Sequence, residues 1–190
     1  MIEVEAKARA PEDAEERILQ MGGVLEGLEN HTDIYFRSPV RDFASSDEAL
    51  RIRIKDDGAY LTYKGPKMDL KTKTRLELSV RVDDAATAEK LLESLGFSRF
   101  AVLRKRRAKY RLGDAIVAID DVDGLGRFVE AEIAVDHDNP TDRARVLEII
   151  SSVGMGRPIR LSYLELIEIA RSSAAASGNL GESPPAESEP

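Results

Sequence analysis

The sequence predicts an α+β fold in which antiparallel strands close into a barrel and helices lie on its outside. Three observations predict it. Most strand-like segments alternate an apolar face with a charged face. The charges are sorted by sign, with basic runs and acidic pairs on different strands. Segments of helical pattern punctuate the strands and can cover their apolar faces. In an open sheet the charged faces would meet water. Closure turns them inward, and a charged interior is costly unless it holds a ligand of opposite charge.

The elements follow in order. Residues 1–9 read as a strand, with Ile2, Val4, Ala6 and Ala8 on one side and Glu3, Glu5, Lys7 and Arg9 on the other. The carboxylates of Glu3 and Glu5 would stand roughly 7 Å apart and repel unless a positive charge lies between them. "APEDAEERILQMGG" reads as a helix with acidic residues in its first turn and Gly22-Gly23 at its end. Strands follow at 24–37 and 49–56, the second with Arg51, Arg53 and Lys55 opposite Leu50, Ile52 and Ile54. A turn at Asp57-Gly58 leads into a strand through 65. "KTKTRLELSVRV" (71–82) is a long alternating strand with Lys73, Arg75, Glu77 and Arg81 on one face. "DDAATAEKLLESLGF" is a helix started by Asp83 or Asp84 and stopped by Gly96. Strands at 99–112 and 115–122 flank a turn at Gly113-Asp114, and the first carries Lys105, Arg107, Lys109 and Arg111 on one face. After the "DGLGR" loop, a strand at 128–136 places Glu130 and Glu132 together, opposite Val129, Ala131 and Ile133. "NPTDRARVLEIISSVG" is a further helix and "LSYLELIEIA" a short terminal one. One domain over 1–171 and a disordered, Pro-rich tail over 172–190 are expected.

Composition narrows the function. The 190 residues carry a net charge of -7, which counts against generic nucleic-acid binding. "RKRRAKYR" is basic, but its charges alternate as a strand face does. With no cysteine there are no disulfides, thiolate metal sites or cysteine nucleophiles. No apolar run suggests a secretion signal or a membrane span, so a soluble cytoplasmic protein is expected. Inward-facing Arg and Lys suit a polyphosphate, and carboxylate pairs suit a divalent cation bridging to it. His31 reads as a hydrogen-bonded structural residue, and Tyr35, Phe36, Tyr110 and Tyr163 as packing residues.

"EVEAK" has the E-x-E-x-K form of the CYTH superfamily, the triphosphate tunnel metalloenzymes. "HTDIYF", "ALRIR", "LTYKGP", "RLEL", "KRRAKY", "IDDVDGLGRFVEAE" and "SYLEL" follow in the right order. Together they resemble the class IV adenylyl cyclase branch over about residues 1–170. The resemblance implies a closed antiparallel eight-stranded β-tunnel that binds ATP or another triphosphate with Mg2+ or Mn2+. It implies metal-facing carboxylates at Glu3, Glu5, Asp120, Glu130 and Glu132. It places the triphosphate on Arg51, Lys64, Lys105 and Arg107. Arg53, Arg75, Glu77 and Lys7 line the same face; Arg53 and Arg75 are further triphosphate ligands, and Lys7, Asp120 and Arg107 are the catalytic candidates. A homodimer is a family expectation.

The implied activity is conversion of ATP to cyclic AMP and pyrophosphate. Arg127 departs from the acidic residue that cyclases often have after "GLG", and the paired glutamates at 130 and 132 are shared with triphosphatases. A metal-dependent triphosphatase, on inorganic, thiamine or nucleoside triphosphate, is therefore the alternative. A non-catalytic polyphosphate-binding module is the third reading. A pure anion binder would need the cations but not the carboxylates.

Overall fold

The alternating segments form eight strands: β1 (Ile2–Arg9), β2 (Val24–Arg37), β3 (Ala49–Lys55), β4 (Gly58–Lys64), β5 (Arg75–Val82), β6 (Ser98–Leu112), β7 (Ala115–Val122) and β8 (Gly126–Val135). A computed structural model describes residues 2–69 and 72–178. The strands close into an antiparallel barrel in the order β1-β5-β4-β3-β2-β6-β7-β8. Four helices accompany them: α1 (Ala14–Gln20), α2 (Ala85–Ser94), α3 (Pro140–Val153) and α4 (Tyr163–Gly178).

Local chemistry sets the helix ends. Asp84, rather than Asp83, caps α2 by accepting from Thr87 N at 2.6 Å. Asn139 accepts from Thr141 N at 2.9 Å, with Pro140 in the first turn of α3. α1 is shorter than expected, because Gly22 turns into positive φ (88°) and Gly23 N donates back to Ile18 O. Contacts divide the chain after Arg160. The second unit's described part contains α4, which continues past residue 171 into the stretch expected to be disordered; residues 179–190 lie outside the described residues.

The apolar faces of the strands point outward. Val4, Ala6, Ala8, Val117, Ile119, Val129, Ala131 and Ile133 form one core with Ile18 of α1 and Val146, Ile149, Ile150 and Val153 of α3. Ile34, Phe36, Leu50 and Ile52 form another with Phe43 and with Leu92 of α2. Covering is incomplete, however. On β5, Leu76, Leu78 and Val80 are 40%, 53% and 57% exposed.

Closure is uneven at the β1 edge. β1 pairs with β8 along its length, from Ile2 opposite Val135 to Arg9 opposite Phe128. Its ladder with β5 covers Ile2–Leu76 and Glu3–Arg75. Beyond that, β1 carbonyls accept from three loop amides: Lys73 N to Glu5 O at 2.8 Å, Ile159 N to Lys7 O at 2.6 Å and Met155 N to Arg9 O at 2.8 Å. This seam corrects the expected strand over 71–82. β5 begins at Arg75, because segment 72–74 and residues 155–159 share the remaining edge of β1. Lys71 lies outside the described residues.

Candidate functional site

Ion pairs that skip a strand show which face points inward. Lys64 of β4 reaches Glu3 of β1 at 2.8 Å across β5, and Arg107 of β6 reaches Glu130 of β8 at 2.5 Å across β7. The charged faces therefore line the lumen. Every residue expected in the site lies on them, and most are buried: Lys7, Asp120, Lys105, Glu5, Arg75, Glu130, Arg107, Lys64 and Arg51. Glu3, Arg53 and Glu132 are partly exposed.

The structure joins these residues into three ionic groups. The largest surrounds Glu130 and Asp120. Asp120 accepts from Arg107 Nε and Nη2 and from Lys105 Nζ, each at 2.7 Å. Glu130 accepts from Arg107 and has Lys73 at 3.7 Å and Lys7 and Lys105 at 3.9 Å. Burial alone would raise the Glu130 carboxyl, but these cations hold it well below the usual range. Burial and the Arg107 charge push Lys105 down to about 8. Burial and the neighbouring Lys73 push Lys7 well below the ordinary lysine value. The second group is Asp33, which takes both arms of Arg53 at 2.7 Å and Arg51 at 3.2 Å. The third is Lys64 between Glu3 and Glu77.

The lumen cations do not face one another as bare like charges awaiting a ligand. Asp33 of β2 lies opposite the arginines of β3, and Asp120 of β7 lies opposite the cations of β6, so most cations already have a carboxylate. Sign segregation along the sequence becomes interdigitation in space.

Glu132 stands apart. It sits directly across from Glu5 on β1, with Glu3 two residues along. Burial and Glu3 push its carboxyl up to about 7, with Glu5 and Glu130 adding to the rise and Arg107 opposing it. A crowded carboxylate of this kind gains from a hard divalent cation, and an oxygen-only donor set fits Mg2+ or Mn2+. Among the described residues no three His, Asp or Glu side chains converge as a ready-made cage. Arg75 forms no ion pair among the described residues, and its Nε has no hydrogen-bond partner.

Two residues beyond the expected set belong here, Asp33 and Lys73, and Glu77, expected on the same face, gains a definite partner. Asp33 shares its β2 face with His31 and Tyr35, a period-two signal that could have found it. Glu77 completes the Lys64 group. Lys73 sits among the carboxylates although it lies outside the β5 ladder. His31 is buried and bonds Glu29 at 2.6 Å, as expected of a structural histidine, and burial holds it neutral, down to about 3. Phe36 and Tyr110 are packing residues of the outer cores. Arg127 points away from the lumen, pairing with Glu15 of α1 at 3.1 Å, so the departure at this position leaves the interior untouched.

No described helix is long and apolar enough to cross a membrane. The CYTH domain family matches residues 1–154. A Methanocaldococcus jannaschii protein provisionally named adenylate cyclase is 38% identical over 172 residues, 87% of this chain and 98% of that one. Adenylate cyclase CyaB of Aeromonas hydrophila is 31% identical over 127 residues, 65% of this chain and 63% of that one. A solved structure from Pyrococcus horikoshii superposes with a TM-score of 0.83 at 38% identity, covering 89% of this chain and 99% of the other. The closed eight-stranded barrel, the charged lumen and these likenesses agree: the chain belongs to the CYTH family.

Proposed function

We propose that this protein is a divalent-metal-dependent enzyme that converts ATP to cyclic AMP and pyrophosphate inside the barrel. The observation that supports it best is the lumen itself, where Arg51, Arg53, Lys64, Arg75, Lys105 and Arg107 come from four strands onto one interior beside Glu3, Glu5, Asp120, Glu130 and Glu132. The relatives named adenylate cyclase support the reaction type.

In the reaction the ribose 3'-oxygen forms a bond to the α-phosphorus, the α–β phosphoanhydride bond breaks, and pyrophosphate leaves with its electron pair. Glu3, Glu5 and Glu132 would hold Mg2+ or Mn2+, with Asp120 and Glu130 beside them, and such a cation would supply positive charge to the phosphate chain and lower the pKa of the attacking hydroxyl. Lys64, Arg51, Arg53 and Arg75 bind the phosphates. Lys105 and Arg107 exchange Asp120 for phosphate oxygens and stabilise the charge that develops on the leaving group. Lys7, fully buried and pushed toward its neutral form, is placed to take up a proton.

Hydrolysis of a triphosphate is the second reading, since the same clamp serves water as the attacking group. One observation favours it: Tyr35 interacts with Arg51, and Phe128 packs against Lys7 and Arg9, so neither ring stands free for a purine. Incubation with ATP, and separately with tripolyphosphate, in Mg2+ and in Mn2+, decides between them. Cyclic AMP and pyrophosphate from ATP are expected, with tripolyphosphate an inhibitor or a poor substrate. Rapid orthophosphate release from tripolyphosphate, with no cyclic AMP under any metal or pH, would assign the hydrolase.

A further inference from the structure

The carboxylates proposed to hold the metal are not equivalent. Glu132 is crowded by other carboxylates, whereas Glu5 and Glu130 share a cation, the Lys73 ammonium. Lys73 Nζ pairs with Glu5 and stands 3.7 Å from Glu130 Oε1. The residue is 3% exposed and is aimed inward by its own backbone, whose N–H donates to Glu5 O at 2.8 Å. Thr72 and Thr74 on either side are buried and share a hydroxyl hydrogen bond of 2.6 Å, and Thr72 N donates to Asp69 Oδ1 at 2.8 Å. A loop outside the barrel ladders is thus fastened so that one ammonium sits between two carboxylates of the site. Burial works against its charge, but Glu5 and Glu130 more than offset that and hold Lys73 above the ordinary lysine value.

We propose that Lys73 is the built-in counter-ion of the metal site: its ammonium bridges Glu5 and Glu130 when no divalent cation is bound, and an incoming triphosphate draws it off, so that metal and triphosphate bind as a linked pair. The inference rests on the metal site of the proposed function. A divalent cation needs the oxygens that Lys73 occupies. Metal arriving alone must strand a buried ammonium, which is costly. Metal arriving with a triphosphate does not, because a phosphate oxygen takes over the ammonium. By linkage, each ligand then tightens the other by the same factor.

The test is Mn2+ binding to the full chain, by calorimetry and by the Mn2+ spin-resonance signal, without nucleotide and then with an α,β-methylene ATP analogue. Lys73→Met is expected to bind Mn2+ alone about tenfold more tightly than the unsubstituted protein, and to show less tightening by the analogue. Lys73→Arg, which keeps the charge, is expected to follow the unsubstituted protein. Unchanged or weaker Mn2+ binding by Lys73→Met would overturn the proposal, as would an equal gain in Lys73→Arg. Should Lys73→Met be unfolded without metal by circular dichroism, refolding on addition of Mn2+ alone supports the proposal and failure to refold overturns it. Glu132→Gln, which removes a proposed metal ligand that Lys73 does not pair with, separates the two levels of inference. If it binds Mn2+ as well as the unsubstituted protein does, the metal site itself fails. If it loses Mn2+ while Lys73→Met gains nothing, the counter-ion assignment alone fails.

Discussion

Glu130 and Glu132 stand two residues apart on one strand, yet loss of their charges should act in opposite directions. Glu130 is surrounded by Arg107, Lys73, Lys7 and Lys105. Its replacement by Gln leaves buried cations uncompensated and should cost about 3–5 kcal/mol as well as activity. Glu132 is raised by burial and by Glu3, so Glu132→Gln should stabilise the metal-free protein at alkaline pH. The sign follows from linkage: a carboxyl whose folded pKa is raised favours folding while protonated, and that advantage is lost as pH rises from the unfolded value to about 7. In EDTA, the melting temperatures of Glu132→Gln and the unsubstituted protein should coincide near pH 4.5 and diverge up to about pH 7, reaching about 2 to 3 kcal/mol. Equal melting temperatures at pH 8 would contradict the carboxylate crowding. For Glu130, held below the usual range, the stabilisation is instead lost as pH falls through its folded pKa.

At the scale of elements, the same asymmetry between packed and bare positions can be measured. Ile52 is fully buried in the core under α2, and Ile52→Ala should cost about 2–5 kcal/mol. Leu78 on the uncovered face of β5 is 53% exposed, so Leu78→Thr should stay within about 0.5 kcal/mol, read from denaturant midpoints. Asp84→Ala removes the α2 cap and should cost about 1 kcal/mol. These contrasts mark what was legible in the sequence. Apart from the start of β5, period-two alternation located the strands to within a residue or two, because inward charge and outward apolar contact impose it on each strand separately. The same alternation collected the lumen residues. It could not say who pairs with whom across non-neighbouring strands, since Lys64 meets Glu3 across β5 and Arg107 meets Glu130 across β7 only when the sheet curls and closes. Nor could it show that β5 starts at Arg75 or that its outer face is bare, because both depend on which distant segment lies alongside. Lys73 fell on the charged face of that alternation, but its place between Glu5 and Glu130 comes from the seam and not from a strand ladder.

For the whole molecule, a lumen whose charges already pair makes ligand binding an exchange of ions. Tripolyphosphate with Mn2+ should still stabilise the fold, by about 2.7 kcal/mol at ~100 times the dissociation constant, and the shift should shrink with added salt. No change in melting temperature at saturation would argue against a phosphate-binding interior. The seam along β1 carries a further consequence, one of timing. β1 comes early in the chain, yet its ladder partner is β8, and its other edge is completed by amides of residues 155–159. The barrel therefore cannot close until almost all of its chain is present, and its closing contacts join the most distant parts of the sequence. Loop closure of that span must precede the hydrogen bonds that reward it, which places refolding toward the slow, millisecond-to-second end of the range. Until then β1 has an unpaired edge and two glutamates without their Lys64 and Lys73 partners, so a strand that contributes two of the site's carboxylates is among the last to acquire its structure.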